Sequence, residues 1–176
     1  MGCGRDTVAE HLEKTENCEI YRISKYITKL TNMLNYQQLD TRRVNQNFAE
    51  TVRVIFGPYA WNNLLMEQIQ KKHDLYLGYG ETPPPIVITD GRKIADLTYW
   101  EDRGFVSIGI SCHDDTRRAR LIERDGEDPS PYFNHTIEEE AKTCITQCKY
   151  KINNDGSLLD LYMGINEVMA AEKATT

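Results

Sequence analysis

Gly2-Cys3-Gly4-Arg5-Asp6-Thr7-Val8-Ala9 is the stretch on which the fold turns. Two glycines separated by one residue, then a basic side chain, a hydroxyl and the start of a helical pattern, match the back half of a phosphate-binding loop. Glycine there lets backbone N–H groups turn towards phosphate where a helix begins. The full pattern has an earlier glycine and a preceding strand, so both are expected ahead of Met1, with that strand central to a sheet. Arg5 stands where lysine is usual, and Asp6-Thr7 replaces the simple Ser or Thr that follows it. A glycine-rich start that merely precedes a helix is the competing reading of this segment.

Working outward, Thr7 to Glu13 predicts a first helix, and Ile20, Ile23, Ile27, Leu30 and Leu34 recur at three- and four-residue spacing. Cys18 to Ile23 reads alternatively as a short strand, with Ser24 capping the helix after it. Further helices are expected over Thr41 to Phe56 and Pro58 to Lys72. Thr82-Pro83-Pro84-Pro85 is a stiff extended connector that divides two unlike halves. Beyond it the apolar period shortens. Ile86 to Ile88 and Phe105 to Ile110 are β-branched runs of the kind buried in parallel sheets, with a helix from Lys93 to Arg103 between them. Helices are expected over Arg117 to Arg124 and Thr136 to Cys148, then a strand at Tyr150 to Ile152 and a last helix capped by Ser157 and reaching Met169. Strands alternating with helices predict an α/β fold in three layers, a parallel sheet with helices on both faces, which binds ligands beyond its strands' carboxyl ends.

The 176 residues suit one domain. With 21 basic and 27 acidic residues the net charge is −6, which argues against sequence-blind binding to nucleic acid or anionic membrane, so phosphate has to be held locally. No run approaches the ~20 apolar residues of a membrane span. Five cysteines, an odd count with no secretory pattern, lead to the expectation of thiols in a cytoplasmic setting, the host cytoplasm were the chain viral. Cys144 and Cys148 lack the other half of a metal site.

Several further segments carry chemistry. Arg42 to Arg53 contains Arg42, Glu50 and Arg53 and is followed by Phe56-Gly57 and Trp61; Ile88-Thr89-Asp90-Gly91-Arg92 ends a strand; Arg117-Arg118-Ala119-Arg120 runs on to Arg124; Asn134-His135-Thr136-Ile137-Glu138 follows it; Ile152-Asn153-Asn154-Asp155-Gly156-Ser157-Leu158 turns from strand to helix. With the glycine loop, these resemble, over nearly the whole chain, the phage-type deoxynucleoside monophosphate kinases of the P-loop nucleoside monophosphate kinase superfamily. The loop end matches that family's Gly-Lys-Asp-Thr-Val-Ala, the strand end its Asp-x-Arg, and the arginine run its mobile lid. The strand-to-helix turn is the most specific match. The family's Gly-Thr before the glutamate is missing here, and its Asn-Glu after the Asp-x-Arg appears as Ala95-Asp96.

The resemblance implies a P-loop kinase fold with a helical substrate-binding segment and an arginine lid. It is one domain over 1–176, divided into a loop remnant with first helix (1–17), an acceptor-binding segment (18–80), core strands (85–112), the lid (113–140) and an adenine-side turn with the last helix (149–170). It implies transfer of a phosphoryl group from ATP, with Mg2+, to a nucleoside monophosphate. A loose transition state with charge spread over oxygens calls for arginines and positioning more than for a nucleophile. Arg5, Arg120, Arg124 and Asp90 are the catalytic candidates. Gly2, Cys3, Gly4, Arg5, Asp6 and Thr7, with Asn154, Asp155 and Gly156, would hold ATP. Arg42, Glu50, Arg53, Trp61 and Arg92 would hold the acceptor, and Thr7 and Asp90 the metal. A homodimer is compatible with the pattern. Two alternatives stand beside this reading: a kinase of another phosphorylated metabolite, such as phosphomevalonate or dephospho-coenzyme A, and a degenerate, non-catalytic nucleotide binder. For individual residues the competing roles are a solvated arginine helix for 117–124, an ordinary cap for Asp90, surface ion pairing for Glu50 and Arg53, and core packing for Trp61.

Overall fold

The computed structural model describes residues 2–34, 41–126 and 136–175. It is mostly helical, with short parallel strands, and divides into two compact units: residues 16–91, and residues 1–15 together with 92–176. Among the described residues no helix is long and apolar enough to cross a membrane.

In the unit of residues 16–91, β1 (Glu19–Tyr21) pairs in parallel with β2 (Ile86–Ile88), Ile20 opposite Val87. Between them in the chain run α2 (Ile23–Leu34), α3 (Thr41–Phe56) and α4 (Ala60–Gly78). Ile23, Ile27 and Thr31 recur every four residues and form the buried stripe of α2, whereas Leu34, counted on the same stripe from sequence, is exposed. Asn45 Nδ2 donates to Thr28 Oγ1 at 3.0 Å and ties α3 to α2, while the Trp61 indole N–H donates to the Ala49 carbonyl at 3.0 Å and ties α4 to α3. Glu19 anchors β1: its carboxylate accepts from Tyr21 Oη at 2.8 Å and Tyr76 Oη at 2.7 Å and pairs with Lys72 Nζ at 2.6 Å. Burial works to raise its pKa, but the hydrogen bonds from Lys72, Tyr76 and Tyr21 outweigh it and hold the carboxyl below the usual glutamate value.

The second unit contains α1 (Arg5–Glu16), α5 (Ile94–Glu101), β3 (Ile108–Ser111), α6 (Asp114–Asp125), α7 (Thr136–Gln147), β4 (Tyr150–Asn153) and α8 (Leu158–Thr175). β3 and β4 are parallel, Ile110 opposite Ile152. Val8, Leu12, Ile110, Leu121, Ile152, Leu161 and Ile165 are among its buried apolar side chains. Gly109 lets β3 pass close under α7, since a Cβ there would come within 2.9 Å of the Ile145 carbonyl oxygen. β3 starts three residues later than the apolar run suggests. Gly104, at φ 81°, closes the end of α5, and the Phe105 ring packs edge-on against Trp100 at 5.0 Å instead of entering the ladder. Ser157 caps α8 as expected, in a reciprocal box: its N–H and hydroxyl donate to Asp160 Oδ2, both at 2.7 Å, and its Oγ accepts from Asp160 N at 3.2 Å.

The expected single sheet is therefore present as two separate two-stranded parallel pairs, and among the described residues no ladder joins them.

Candidate anion-binding site

The glycine loop opens the second unit and is shaped by backbone geometry. Gly2 and Gly4 have φ of 74° and 90°, values that side chains with a Cβ rarely adopt. A Cβ on Gly2 would press to 3.1 Å from the Arg117 carbonyl oxygen, and one on Gly4 would collide with the Asn154 amide. The Gly4 carbonyl accepts the first helical bond of α1 from Val8 N at 3.0 Å. The N–H groups of Arg5, Asp6 and Thr7 consequently have no helical carbonyl to donate to, and the positive end of the helix dipole lies at the loop.

Asn154 fixes the loop's other side. This buried side chain donates from Nδ2 to the Cys3 carbonyl at 3.0 Å, while its backbone N–H donates to Ser111 O at 2.7 Å. Arg120 reaches across from α6 and donates through Nη1 to Asn154 O at 2.9 Å and through Nη2 to Gly156 O at 3.5 Å. Asp155 Oδ1 accepts from His113 N at 2.7 Å, and that bond lowers its pKa below the ordinary aspartate value. A cavity of about 470 Å³ is enclosed by Gly2 to Thr7, Arg92, Arg120, Arg124 and Asn154, with Leu121, Leu158 and Leu161 as its apolar wall. Four arginines, Arg5, Arg92, Arg120 and Arg124, line it, and Asp6 is the one acidic residue among the described lining residues. In a chain of net charge −6 this is a local reversal of sign that selects anions.

Of the sequence candidates, Gly2, Cys3, Gly4, Arg5, Asp6, Thr7, Arg92, Arg120, Arg124 and Asn154 line this one cavity. Asp155 and Gly156 belong to the turn that frames it but are not among the lining residues. Arg117 is not a solvated lid residue either: it is 5% exposed and pairs with Asp114 at 3.1 Å.

Three groups of candidates have other partners in the structure. Asp90, expected to be catalytic and to hold magnesium, caps α2: its Oδ1 accepts from Ile23 N at 2.9 Å and its Oδ2 from Ser24 N at 2.7 Å, so both carboxylate oxygens serve the helix start, and Ser24 does not supply the cap. Trp61, expected at the acceptor, is 3% exposed and packs on Phe48 with ring centroids 5.8 Å apart, which leaves no face for a base. Glu50 and Arg53 form an i,i+3 pair at 3.2 Å on α3. The Arg42 side chain lies outside the described residues, as do Asn134 and His135.

Sequence reasoning missed the apolar wall and the Asn154 bridge. Leu158 and Leu161 sit i,i+3 on α8, a spacing that any amphipathic helix shows, and nothing local marks Asn154 as the partner of a carbonyl 151 positions earlier. For magnesium, Thr7 and Asp6 provide oxygen donors at the cavity, a set that suits an ion retaining most of its own water and phosphate ligands. Among the described residues no cluster of three or more metal-ligating side chains forms.

No family model matches the chain, and no curated protein matches it. Among solved structures its fold is similar to that of TT1252 from Thermus thermophilus, with a TM-score of 0.61 and 17% identity over 98% of this chain and 93% of the other.

Proposed function

We propose that the protein is a P-loop kinase that transfers the terminal phosphoryl group of ATP to a nucleoside monophosphate, a deoxynucleotide being the favoured acceptor. The observation that carries this reading is the cavity itself: a glycine loop at the start of α1, four arginines and a strand-to-helix turn around one space of about 470 Å³. A loop that offers backbone N–H groups positions phosphate oxygens, and guanidinium groups fixed in advance stabilise the charge that spreads over them during transfer. Arg124 and Arg92 suit the transferring group. Arg120, spent on the carbonyls of Asn154 and Gly156, positions the turn. Leu158 and Leu161 offer an apolar surface to the base of the donor, next to the polar edge of Asn154. Bound magnesium would neutralise phosphate charge, with Thr7 as its protein oxygen ligand. The acceptor side draws on the sequence resemblance, through Arg42, Glu50, Arg53 and Arg92.

A second reading, a nucleotide binder without transfer activity, is favoured by the capping role of Asp90 and by Arg5 in the lysine position. The test is ADP formation from ATP and Mg2+ against a panel of ribo- and deoxynucleoside monophosphates, with phosphomevalonate and dephospho-coenzyme A included. Acceptor-dependent ADP with a monophosphate supports the proposal. ATP binding without turnover of any acceptor supports the second reading, and turnover of only the last two compounds moves the activity to another phosphorylated metabolite.

A further inference from the structure

Cys3 and Cys112 meet at the glycine loop, and phosphoryl transfer makes no use of either thiol. Cys3 lines the cavity between two glycines in left-handed conformation. Cys112 follows β3 directly, and its Sγ lies 4.0 Å from the Gly2 carbonyl oxygen. That carbonyl belongs to the residue directly before Cys3, and the side chains lie near enough for each thiol to shift the other's titration. Both are partly exposed.

We propose that Cys3 and Cys112 are a reactive dithiol that a hydroperoxide converts into an intramolecular disulfide, and that this disulfide distorts the phosphate-binding loop. The neighbouring Cys112 thiol draws the Cys3 thiol down to about 6, helped by the positive charges of Arg117 and Arg5 and opposed by burial, so at neutral pH Cys3 is the thiolate nucleophile. The Cys112 thiol is raised by the same interaction and stays protonated.

In the first step the Cys3 thiolate attacks the outer oxygen of the hydroperoxide. The O–O bond breaks, the alkoxide leaves and takes a proton from water, and Cys3 becomes a sulfenic acid, oxidised by two electrons as the peroxide is reduced to an alcohol. The charge that held up the Cys112 thiol is then gone. Cys112 loses its proton and attacks the Cys3 sulfur. The S–S bond forms, the S–O bond breaks, and the departing hydroxide leaves as water. The sulfurs must close to about 2.05 Å from each other. Cys3 therefore shifts while its carbonyl is held by Asn154 and its neighbours Gly2 and Gly4 are the residues that shape the loop.

A second pair supplies an internal comparison. Cys144 and Cys148 lie four residues apart, with Cys148 lowered to about 7 by its bond with Cys144. Both are buried, at 7% and 9% exposure, and Sγ of Cys148 is within 3.4 Å of the Cys144 carbonyl oxygen. Thiolate character without access should leave that pair slow.

The effect on nucleotide rests on the proposed phosphate site, whereas the disulfide does not. The experiment treats the reduced full chain with hydrogen peroxide, traps remaining thiols by alkylation and maps the peptides by mass spectrometry, with ATP binding measured before and after and again after dithiothreitol. The expected result is a Cys3–Cys112 disulfide ahead of any change at Cys144 or Cys148, and an ATP affinity lower by about tenfold or more that returns on reduction, since displacements of ~1 Å in such sites cost that order of effect. In Cys112→Ser, Cys3 should instead accumulate as a sulfenic acid that reacts with dimedone. Oxidation of Cys144 and Cys148 first, or over-oxidation of Cys3 with Cys112 still a thiol in the unsubstituted chain, would overturn the proposal. A mapped disulfide in a protein whose reduced form binds no ATP would sustain the dithiol and sink the phosphate site.

Discussion

Arg120 and Arg124 are one helical turn apart on α6, and different work is expected of them. Both line the cavity, and Arg120 is also held by two backbone carbonyls of the turn after β4. Arg124→Ala is expected to lower kcat by about 10²–10³-fold with little change in ATP affinity, the scale of removing one preorganised donor. Arg120→Ala should weaken ATP binding and lower stability by about 1 kcal/mol, the net worth of such hydrogen bonds. Steady-state kinetics with denaturant unfolding of both variants checks the division; equal effects on kcat would place both arginines on the transferring group. Trp61→Ala should cost about 3–5 kcal/mol, as for other large buried aromatics, and leave the preference among bases as it was. A changed preference in a variant that keeps its stability would return Trp61 to the acceptor site. What could be read at this scale was residue type: the loop glycines, Arg5, Arg92, Arg120, Arg124 and Asn154, singled out in sequence, line one cavity. The capping of α2 by Asp90 was not legible, because a strand-end carboxylate looks the same in sequence whether it faces an ion or the amides of Ile23 and Ser24.

At the scale of elements, α2 depends on Asp90 for its start, since the first amides of a helix have no internal acceptor. Asp90→Ala should lower stability by about 1 kcal/mol, the ordinary cost of losing a cap, and reduce activity only in proportion to the folded fraction. Loss of turnover by orders of magnitude at unchanged stability would show instead that the carboxylate takes part in the chemistry. β1 carries a pH dependence. The Glu19 carboxyl is held below its ordinary 4.5 in the folded state, so its contribution is fully present above that value and is lost as pH falls from about 4.5 through the lower folded-state pKa. Glu19→Gln should therefore flatten the acid limb of a stability–pH profile, and an unchanged limb would mean that other carboxylates set it. Helices and strands were legible along most of the chain because their apolar spacings are local. Their ends were less so: α6 begins at Asp114 rather than Arg117 because two aspartates favour the first turn, and β3 is delayed by the Gly104 turn.

At the scale of the molecule, two parallel strand pairs in two compact units carry the α/β character, and the cavity belongs to the unit of residues 1–15 and 92–176. The α/β class was legible from the alternation of strands and helices, whereas the pairing of strands far apart in sequence leaves no local mark. The central claim is that this cavity holds ATP for transfer to a monophosphate. It is tested most directly by ADP formation with ATP and Mg2+ across the nucleoside monophosphate panel, run beside Arg124→Ala. The account predicts ADP that depends on the acceptor, is greatest with a deoxynucleoside monophosphate, and falls about 10²–10³-fold in the variant. Absence of acceptor-dependent ADP with every monophosphate, in a protein shown to bind ATP, would contradict it.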